Sequence, residues 1–330
     1  MVKRSILYFD KAPGEYRQVI ESRVPDGFEV WYWEEMIASE QQEKLPQADY
    51  LLVVSHKLNA SLLTQAKQAR YIQRTGAGVN NIDVETATKL GLPVCVLPGG
   101  NSTAVAELTI LLILALYRNL VHVDHAMKQG RWPNWEFRPN SYEMDGKIHG
   151  LIGFGHFGRE AAQRSRAFGT KIVYYDQYRV SAEVEREIGA EYVPLEDLLK
   201  QADIVSIHVP LLPSTRGLIG MDQLKSMKKN ALLINVARGG IVNEADLYTA
   251  LKDGIIAGAG IDTWESEPTT ADNPLLTLDN VIAMPHIAAG TIDTFGKVIQ
   301  LAFHNIVKAE LDQRPDYVVN GLEKSRDREQ

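Results

Sequence analysis

The sequence predicts an α/β protein with two doubly wound parallel sheets, each in a domain of its own. Short apolar segments alternate with amphipathic helical segments up to about residue 97, and the alternation resumes near residue 147. The length of 330 residues exceeds what a single hydrophobic core usually supports. A glycine-rich segment at residues 153–158 follows the first apolar segment of the second half, which predicts a tight turn from strand to helix there.

Each half of the chain supplies its own set of strands. Strands are predicted at residues 5–9, 29–33, 49–55, 71–74 and 92–96, and then at 147–152, 171–175, 203–208, 231–236, 256–262 and 281–284. Ser102 is expected to cap a helix that runs to about residue 120, and this helix is apolar on nearly all sides, which indicates burial. A last helix is predicted at residues 291–311.

The composition excludes several classes of protein. With 45% hydrophobic residues, 23% charged residues and a net charge of −7, it is typical of globular proteins, and no basic stripe suggests a nucleic-acid partner. The most apolar stretch, residues 108–116, is too short for a membrane span, and the N-terminus leads into a strand rather than a signal peptide. The single cysteine, Cys95, cannot form an internal disulfide, so we expect a reducing, cytoplasmic setting. No metal site is predicted.

The glycine-rich turn has the features of a dinucleotide site. Gly153, Gly155 and Gly158 follow a short apolar strand, and a helix that begins near His156 offers free N–H groups and a positive dipole end to a pyrophosphate. Asp176 follows the next strand, where a carboxylate accepts hydrogen bonds from ribose hydroxyls and repels a 2′-phosphate. A glycine triplet alone could be an ordinary tight turn, but together with the acid it predicts NAD as the cofactor.

The position of this turn predicts an inserted domain. Because chain termini tend to lie close together, the final helix is expected to return to the first sheet. We therefore predict a substrate-binding domain from residues 1–100 and 287–330, and an NAD-binding domain from residues 101–286.

Three polar residues follow predicted strands of the second half, at the edge where open parallel sheets present ligands: Arg238, Glu267 and His286. Arg238 is suited to bind a substrate carboxylate, His286 to donate a proton to a carbonyl oxygen, and Glu267 to orient the imidazole and favour its protonated form. Each residue alone could equally have a structural role, such as a strand-end ion pair or a buried histidine. Behind a dinucleotide turn, the three together favour hydride transfer.

The chain resembles the D-isomer-specific 2-hydroxyacid dehydrogenases. The motifs that carry the resemblance lie in the family's order between about Asp49 and Ala289, and they are residues 75–83, 101–107, 153–158, 208–211, 235–240, 262–268 and 285–286. The resemblance implies two Rossmann-like or flavodoxin-like domains, usually in a homodimer. It also implies an NAD(P)-dependent reaction between a 2-keto acid and a D-2-hydroxy acid.

The resemblance further implies roles for individual residues. The family's catalytic arginine, glutamate and histidine fall on Arg238, Glu267 and His286. Its cofactor contacts fall on Gly155, His156, Phe157, Gly158, Asp176, Val209 and Pro210, and near the nicotinamide on Val236, Ala237 and Asp262. Its loop for the substrate carboxylate falls on Ala77, Gly78 and Val79, and Lys57 stands where glyoxylate and hydroxypyruvate reductases often have a basic residue.

Departures from the family pattern bear on the substrate. Members that act on 3-phosphoglycerate carry an arginine at the end of the strand that here reads Leu51-Leu52-Val53-Val54, and 330 residues are expected to leave no room for the regulatory domain that some of them append. We therefore expect a reductase of hydroxypyruvate or glyoxylate. The alternatives are a 3-phosphoglycerate dehydrogenase, an NAD-sensing protein that resembles the C-terminal-binding-protein corepressors, and an enzyme that oxidises phosphite or formate. Trp264 replaces a smaller aromatic residue, and the sequence leaves open whether it reaches the pocket.

Overall fold

The computed structural model describes residues 3–324 and residue 326. The chain divides into two compact units, which we call the first unit (Met1–Asn101 with Gly290–Gln330) and the second unit (Ser102–Ala289). Each unit is built on a fully parallel sheet, of five strands in the first and seven in the second, with helices between successive strands. The predicted α/β class with two parallel-sheet domains is confirmed.

Twelve strands lie in the described residues. They are β1 Arg4–Tyr8, β2 Phe28–Tyr32, β3 Tyr50–Val53, β4 Tyr71–Arg74, β5 Val94–Cys95, β6 Ile148–Ile152, β7 Lys171–Tyr175, β8 Ala190–Tyr192, β9 Ile204–Ile207, β10 Leu232–Asn235, β11 Gly258–Ile261 and β12 Val281–Ala283.

The helices of the same residues alternate with these strands. They are α1 Gly14–Glu21, α2 Ala38–Lys44, α3 Ala60–Gln65, α4 Val84–Lys89, α5 Ser102–Tyr117, α6 Leu120–Lys128, α7 His156–Ala167, α8 Ala182–Ile188, α9 Leu195–Gln201, α10 Met221–Ser226, α11 Glu244–Lys252 and α12 Ile292–Glu310. Short 3₁₀ helices are found at Trp33–Glu35, Leu45–Gln47, Arg138–Asn140 and Pro274–Thr277.

The strand order determines where each sheet can bind a ligand. The first sheet has the order β2-β1-β3-β4-β5, which is flavodoxin-like, and the second has β12-β11-β10-β9-β6-β7-β8, which extends the Rossmann order by one strand. The order reverses between β1 and β3 in the first sheet and between β6 and β9 in the second. Ligands of such sheets bind outside the carboxyl ends of the strands at these reversal points.

The first sheet is buried on both faces, as its apolar strands predict. Ile6 and Tyr8 of β1 pack on one side with Phe295 and Phe303 of α12. Leu7 of β1 packs on the other side, with the residues of β3 and α3. The final helix therefore packs on the first sheet, to which it returns after the whole second unit.

Two predicted elements differ in detail. The helix expected at 102–120 ends at Tyr117, and α6 begins after Asn119, whose left-handed φ of 50° redirects the chain. Asparagine tolerates this conformation better than most residues. β8 was not predicted, because it is a three-residue edge strand with no buried residue.

No single helix among the described residues has the length and apolar character to cross a membrane. Only the pair α5 and α6 passes that test jointly, across a bend of 63°. As its apolar sequence predicts, much of α5 is buried, including Ile110, Leu112 and Ile113.

Two histidines of the second unit, the buried His149 and the half-buried His208, predict acid sensitivity. Burial lowers the pKa of both His149 and His208 from 6.5 to about 3. Below pH 6.5 the unfolded chain therefore binds protons that the folded chain excludes, so stability falls as the pH is lowered from 6.5 towards 3. Each histidine contributes a slope of about 1.4 kcal/mol per pH unit within this window.

We expect His149→Gln to flatten this acid slope by about the contribution of one histidine. The matched control is His304→Gln, at an exposed position of α12, which should leave the slope as it is in the wild type. Urea unfolding free energies between pH 7 and pH 4 measure both slopes. Parallel curves for wild type and His149→Gln would contradict the assignment.

Candidate functional site

The three glycines of the turn after β6 serve three different needs. Gly153 has a φ of 98°, and a Cβ there would lie 2.8 Å from the carbonyl carbon of His208. A Cβ at Gly158 would lie 2.1 Å from the carbonyl oxygen of Gly153, so α7 packs directly on the turn. A Cβ at Gly155 would meet no atom within 4 Å. The turn is therefore tight, closely packed beneath α7 and open at its middle glycine, as a pyrophosphate site requires.

The first turn of α7 faces outward. Gly155 is its N-cap residue and provides no side-chain cap, and both Gly155 and His156 are exposed. The helix is 12 residues long, so its start offers unpaired N–H groups and the positive end of the helix dipole. Phe157 is half-buried and packs towards the interior of the unit. An anion such as a pyrophosphate fits this helix start.

Asp176 lies directly after β7 and holds the glycine turn. Its Oδ2 accepts a hydrogen bond from the Phe154 amide at 2.7 Å, and its Oδ1 accepts one from the Tyr178 amide at 3.1 Å. A carboxylate offers about four acceptor positions, so the side chain keeps capacity for ribose hydroxyls. The acid thus stands beside the turn, where the sequence predicts it.

The next strands of the sheet end close to this turn. Val209 and Pro210 follow β9, and a Cβ on Gly153 would lie 2.9 Å from Cγ1 of Val209. Val236 and Ala237 follow β10 and are buried, with 5% and 9% of their surfaces exposed. These predicted cofactor residues therefore share one edge of the second sheet.

The loop after β10 fixes the start of the Arg238 side chain. Asn235 closes this loop, since its Nδ2 donates to the Arg238 carbonyl at 3.1 Å and its Oδ1 accepts from the Ala237 amide at 3.2 Å. Arg238 Nη1 donates to the Ala237 carbonyl at 2.6 Å. A Cβ at Gly239 would lie 1.7 Å from the carbonyl oxygen of Trp264, so only glycine lets this loop approach the loop after β11 so closely.

His286 and Glu267 form a pair at the same edge. His286 Nδ1 lies 2.7 Å from Glu267 Oε2, and the two side chains are 40% and 38% exposed. Glu267 Oε1 accepts a hydrogen bond from the Trp264 amide at 3.0 Å. The carboxylate is therefore held in place while it orients the imidazole, whose Nε2 remains available for a reacting group.

The backbone on both sides of His286 is also anchored. Asp262 is completely buried, and its two oxygens accept hydrogen bonds from the amides of Ile287 at 2.8 Å and Ala288 at 2.9 Å. Burial raises the pKa of Asp262, against the opposing effect of these hydrogen bonds. Trp264 is buried and donates from its indole nitrogen to the Met284 carbonyl at 2.9 Å. Trp264 thus packs and supports the turn before His286, which answers the question that the sequence left open.

Apart from Arg238, the predicted substrate residues lie in the first unit, on the loops after β3 and β4. Ala77 and Lys57 are exposed, and Gly78 and Val79 are half-buried. Asn81 connects the two loops, because its Nδ2 donates to the His56 carbonyl at 2.8 Å. Both loops therefore stand at the carboxyl edge of the first sheet.

A known protein family matches the second unit of the chain. Residues 110–288 match the family model described as D-isomer specific 2-hydroxyacid dehydrogenase, NAD binding domain, which is more than half of the chain. The chain belongs to the D-isomer specific 2-hydroxyacid dehydrogenases. They are NAD-dependent oxidoreductases, and the cofactor of this member is NAD, which fits the open glycine turn and Asp176.

Individual relatives carry different names within this family. The chain is 42% identical to a D-3-phosphoglycerate dehydrogenase of Methanocaldococcus jannaschii, over 82% of this chain but only 52% of that protein, so it spans about half of that relative's length. It is 35% identical to a glyoxylate reductase of Korarchaeum cryptofilum, over 91% and 92% of the two chains. A structure of D-lactate dehydrogenase with NAD⁺ from Lactobacillus jensenii superposes with a TM-score of 0.82 at 29% identity, covering 96% and 99% of the two chains.

Two residues that hold loops at the sheet edges, one in each unit, were not singled out from the sequence. Asn235 closes the Arg238 loop, and Asp10 accepts hydrogen bonds from the amides of Val54, Ser55 and His56 at 2.6, 2.7 and 2.9 Å. The available signal was their position at or just after the end of a strand. Asn235 bonds to neighbours two and three positions away, whereas the partners of Asp10 lie more than forty positions away in the sequence. No group of three or more potential metal-binding side chains is found in the part of the chain that the structure describes.

Two glycine variants separate packing from ligand contact. Gly158→Ala should destabilise the second unit by about 1–3 kcal/mol and weaken NADH binding, because its Cβ collides with the turn. Gly155→Ala should change stability by less than about 1 kcal/mol yet weaken NADH binding at least about tenfold, because its Cβ points into open space that the cofactor is expected to occupy. Thermal unfolding and NADH titration measure the two effects. Normal NADH affinity in Gly155→Ala would argue against cofactor contact at that glycine.

Proposed function

We propose that this protein is an NAD-dependent D-2-hydroxyacid dehydrogenase that interconverts a small 2-keto acid, such as hydroxypyruvate or glyoxylate, and its D-2-hydroxy acid. The observation that carries the proposal is the 2.7 Å contact between His286 and Glu267, at the same sheet edge as the glycine turn. Bound NADH supplies the hydride. The residues of the chain then have to bind the carboxylate, orient the carbonyl group and deliver one proton.

His286 is proposed as the proton donor during reduction of the keto acid. Its Nδ1 is engaged by Glu267, so Nε2 carries the proton that passes to the carbonyl oxygen as the hydride reaches the carbonyl carbon. The product is the neutral hydroxyl group, and His286 is left neutral. In the oxidative direction the neutral imidazole accepts the hydroxyl proton.

Arg238 is proposed to bind the substrate carboxylate through its planar guanidinium group. Its loop is fixed by Asn235 and by the close contact of Gly239 with Trp264, so little orientation entropy is lost on binding. Within the first unit, the successive amides of Ala77, Gly78 and Val79 are proposed as substrate-binding groups suited to a carboxylate, and Lys57 is proposed to bind a polar group of the substrate.

The proposed cofactor contacts follow the edge of the second sheet. The glycine turn and the start of α7 bind the pyrophosphate, and Asp176 binds the adenosine ribose and disfavours NADP. The full set is Gly153, Gly155, His156, Phe157, Gly158, Asp176, Val209, Pro210, Val236, Ala237 and Asp262. Asp262 also supports the turn at His286, because its carboxylate accepts hydrogen bonds from the amides of Ile287 and Ala288. This role is separate from its proposed contact with the nicotinamide.

One observation favours 3-phosphoglycerate dehydrogenase as a second candidate. The strand end at Val53 lacks the arginine of phosphoglycerate enzymes, but Val53 pairs directly with Arg74 at the end of β4. Arg74 is half-buried, and its Nε donates to Asn81 Oδ1 at 3.2 Å, beside the loop proposed to bind the substrate carboxylate. An arginine on the neighbouring strand could therefore bind a distal phosphate in place of the missing one.

We also propose that the protein is a cytoplasmic homodimer. The second unit exposes a cluster of large apolar side chains on α6 and the segment after it: Leu120, Val121, Met127, Trp132 and Trp135. Trp132 and Trp135 are 75% and 71% exposed, and such apolar surface is typical of subunit interfaces. The lone cysteine, Cys95, is buried, which suits a reducing compartment.

The catalytic roles are tested with a panel of 2-keto acids and NADH. His286→Ala should lower kcat/KM by about 10²–10⁴-fold while NADH affinity stays within about twofold, because the proton donor is lost and the cofactor site is not. Glu267→Gln should lower kcat while NADH affinity stays close to that of the wild type, because a neutral amide holds the His286 ring less firmly than the charge-assisted contact of the carboxylate.

The exposed His304→Ala on α12 is the matched control and should be as active as wild type. Unchanged turnover in His286→Ala would refute the proposed proton donor. NADH binding by the wild type without oxidation by any keto acid, accompanied by capture of a peptide partner, would instead favour the corepressor-like function. NAD reduction by phosphite or formate alone would identify the remaining alternative.

The role of Arg74 is tested by comparing two substrates in one variant. If the protein acts on a phosphorylated acid, Arg74→Gln should raise the KM for phosphohydroxypyruvate at least about tenfold, because a charge-assisted contact is lost. The KM for glyoxylate, which has no distal phosphate, is the internal control and should change less than about threefold. Equal effects on both substrates, or no turnover of phosphohydroxypyruvate by the wild type, would rule out this candidate.

A further inference from the structure

Five side chains form a continuous line of hydrogen bonds inside the second unit. Thr170 Oγ1 lies 2.8 Å from Ser165 Oγ, and Ser165 Oγ lies 2.8 Å from His149 Nδ1. His149 Nε2 lies 2.7 Å from Ser206 Oγ, which in turn lies 2.8 Å from His208 Nε2. We call Thr170, Ser165, His149, Ser206 and His208 the histidine string. The proposed hydride-transfer chemistry uses none of them.

The histidine string is shielded from water along most of its length. His149, Ser165 and Ser206 have no exposed surface, and Thr170 is 6% exposed. Burial lowers the pKa of both histidines to about 3, with an added contribution at His149 from repulsion by His208, so both rings are neutral at pH 7. At the His208 end, the ring nitrogen Nδ1 is buried and has no hydrogen-bond partner among residues 3–324 and 326.

The His208 end lies against the glycine turn. A Cβ on Gly153 would lie 2.8 Å from the His208 carbonyl carbon, and a Cβ on Gly158 would lie 3.8 Å from the His208 Cβ. His149 itself is on β6, the strand that leads into the turn. The histidine string therefore connects the strand before the turn with the residue that supports the turn from the neighbouring strand end.

Each hydroxyl and each neutral imidazole of the histidine string has one hydrogen to donate, and this limits which atom of each pair is the donor. A neutral imidazole between two neighbours donates from one nitrogen and accepts at the other, and a hydroxyl that gives its one hydrogen to one neighbour accepts from the other. If every hydroxyl hydrogen is used within the string, all four bonds therefore run the same way. If they run towards His208, its Nδ1 carries a buried hydrogen with no acceptor. If they run towards Thr170, His208 donates from Nε2 and its Nδ1 is left as a bare acceptor. A buried orphan N–H is the rarer defect, so the second direction is favoured.

We propose that the histidine string is a positioning device for NAD, in which Ser206 and His149 hold His208 in one rotamer and in the Nε2–H tautomer so that the glycine turn keeps its binding geometry. The geometry of the turn depends on where the His208 backbone lies, because a Cβ added at Gly153 would come within 2.8 Å of the His208 carbonyl carbon, so a shift of His208 would displace the turn. Apolar side chains of similar volume would fill the same interior without selecting one ring orientation. The proposal concerns binding of the cofactor and does not depend on which acid is the substrate.

The tautomer is tested first, on the wild-type protein. Nitrogen-15 NMR of histidine side chains at pH 7 distinguishes a protonated from a bare ring nitrogen. We expect His208 to be protonated at Nε2 and bare at Nδ1, and His149 to be protonated at Nδ1. A His208 ring protonated at Nδ1 would overturn the proposal, and this measurement needs no variant to fold.

The link to the cofactor is tested by NADH titration. Ser206→Ala breaks the histidine string at its centre and should weaken NADH binding about tenfold, whereas Ser206→Thr keeps a hydroxyl group and should restore affinity to within about threefold of wild type. Ser5→Ala is the matched control, since Ser5 is a buried strand serine of the first unit whose hydroxyl also bonds to two partners, the Gln47 carbonyl and Asp49. It should bind NADH like the wild type. Unchanged affinity in folded Ser206→Ala, or equal weakening in Ser5→Ala, would overturn the proposal.

Discussion

The backbone that follows β11 supports the three proposed catalytic residues of the second unit. Gly239 approaches the Trp264 carbonyl so closely that no side chain fits between them, which fixes the Arg238 loop against this segment. From the same segment, Glu267 holds the His286 ring and Asp262 holds the two amides after it. Because one short stretch of chain contacts both the arginine loop and the histidine turn, their geometry depends on its position. Catalytic groups on separate loops need such shared support, because a small displacement of one group relative to another lowers the reaction rate strongly.

The glycine turn of the second unit is also fixed by backbone segments that pack closely against it. The turn after β6 is packed against His208 on one side and α7 on the other, and Asp176 holds the Phe154 amide from a third direction. Of the three glycines Gly153, Gly155 and Gly158, only Gly155 faces open space. The packed glycines therefore give the turn its shape, and the open glycine gives a ligand access to the helix start. The sequence shows three glycines and does not distinguish these two functions. The atoms that surround each glycine in the folded chain distinguish them.

The loops at the edge of the first sheet are held by hydrogen bonds between side chains and backbone groups. Asp10, after β1, receives three amides of the loop after β3, and Asn81 connects that loop to the loop after β4. These carboxylate and amide groups replace the ladder hydrogen bonds that end with the strands. Lys57 thereby stands on an anchored loop, and Arg74 stands at the end of the neighbouring strand β4.

Much of this protein could be predicted from the sequence, because the relevant signals are local. Alternating apolar segments predict eleven of the strands and the parallel class, and the glycine turn with Asp176 predicts NAD. The identities of Arg238, Glu267 and His286 as candidates follow from their places after strands. The short strand β8 and the break at Asn119 were missed, since an exposed edge strand and a single left-handed residue give weak periodic signals.

Only the tertiary structure decided which of these residues support one another. The contact of Trp264, the anchoring by Asp262 and the histidine string all join residues from different strands or loops. His149 and Ser206, for example, are separated by 57 positions and meet because β6 and β9 are neighbours in the sheet. A local pattern shows which side chains end at the sheet edge. Contacts across the sheet, set by strand order and by the space that each glycine leaves, determine what those side chains can hold.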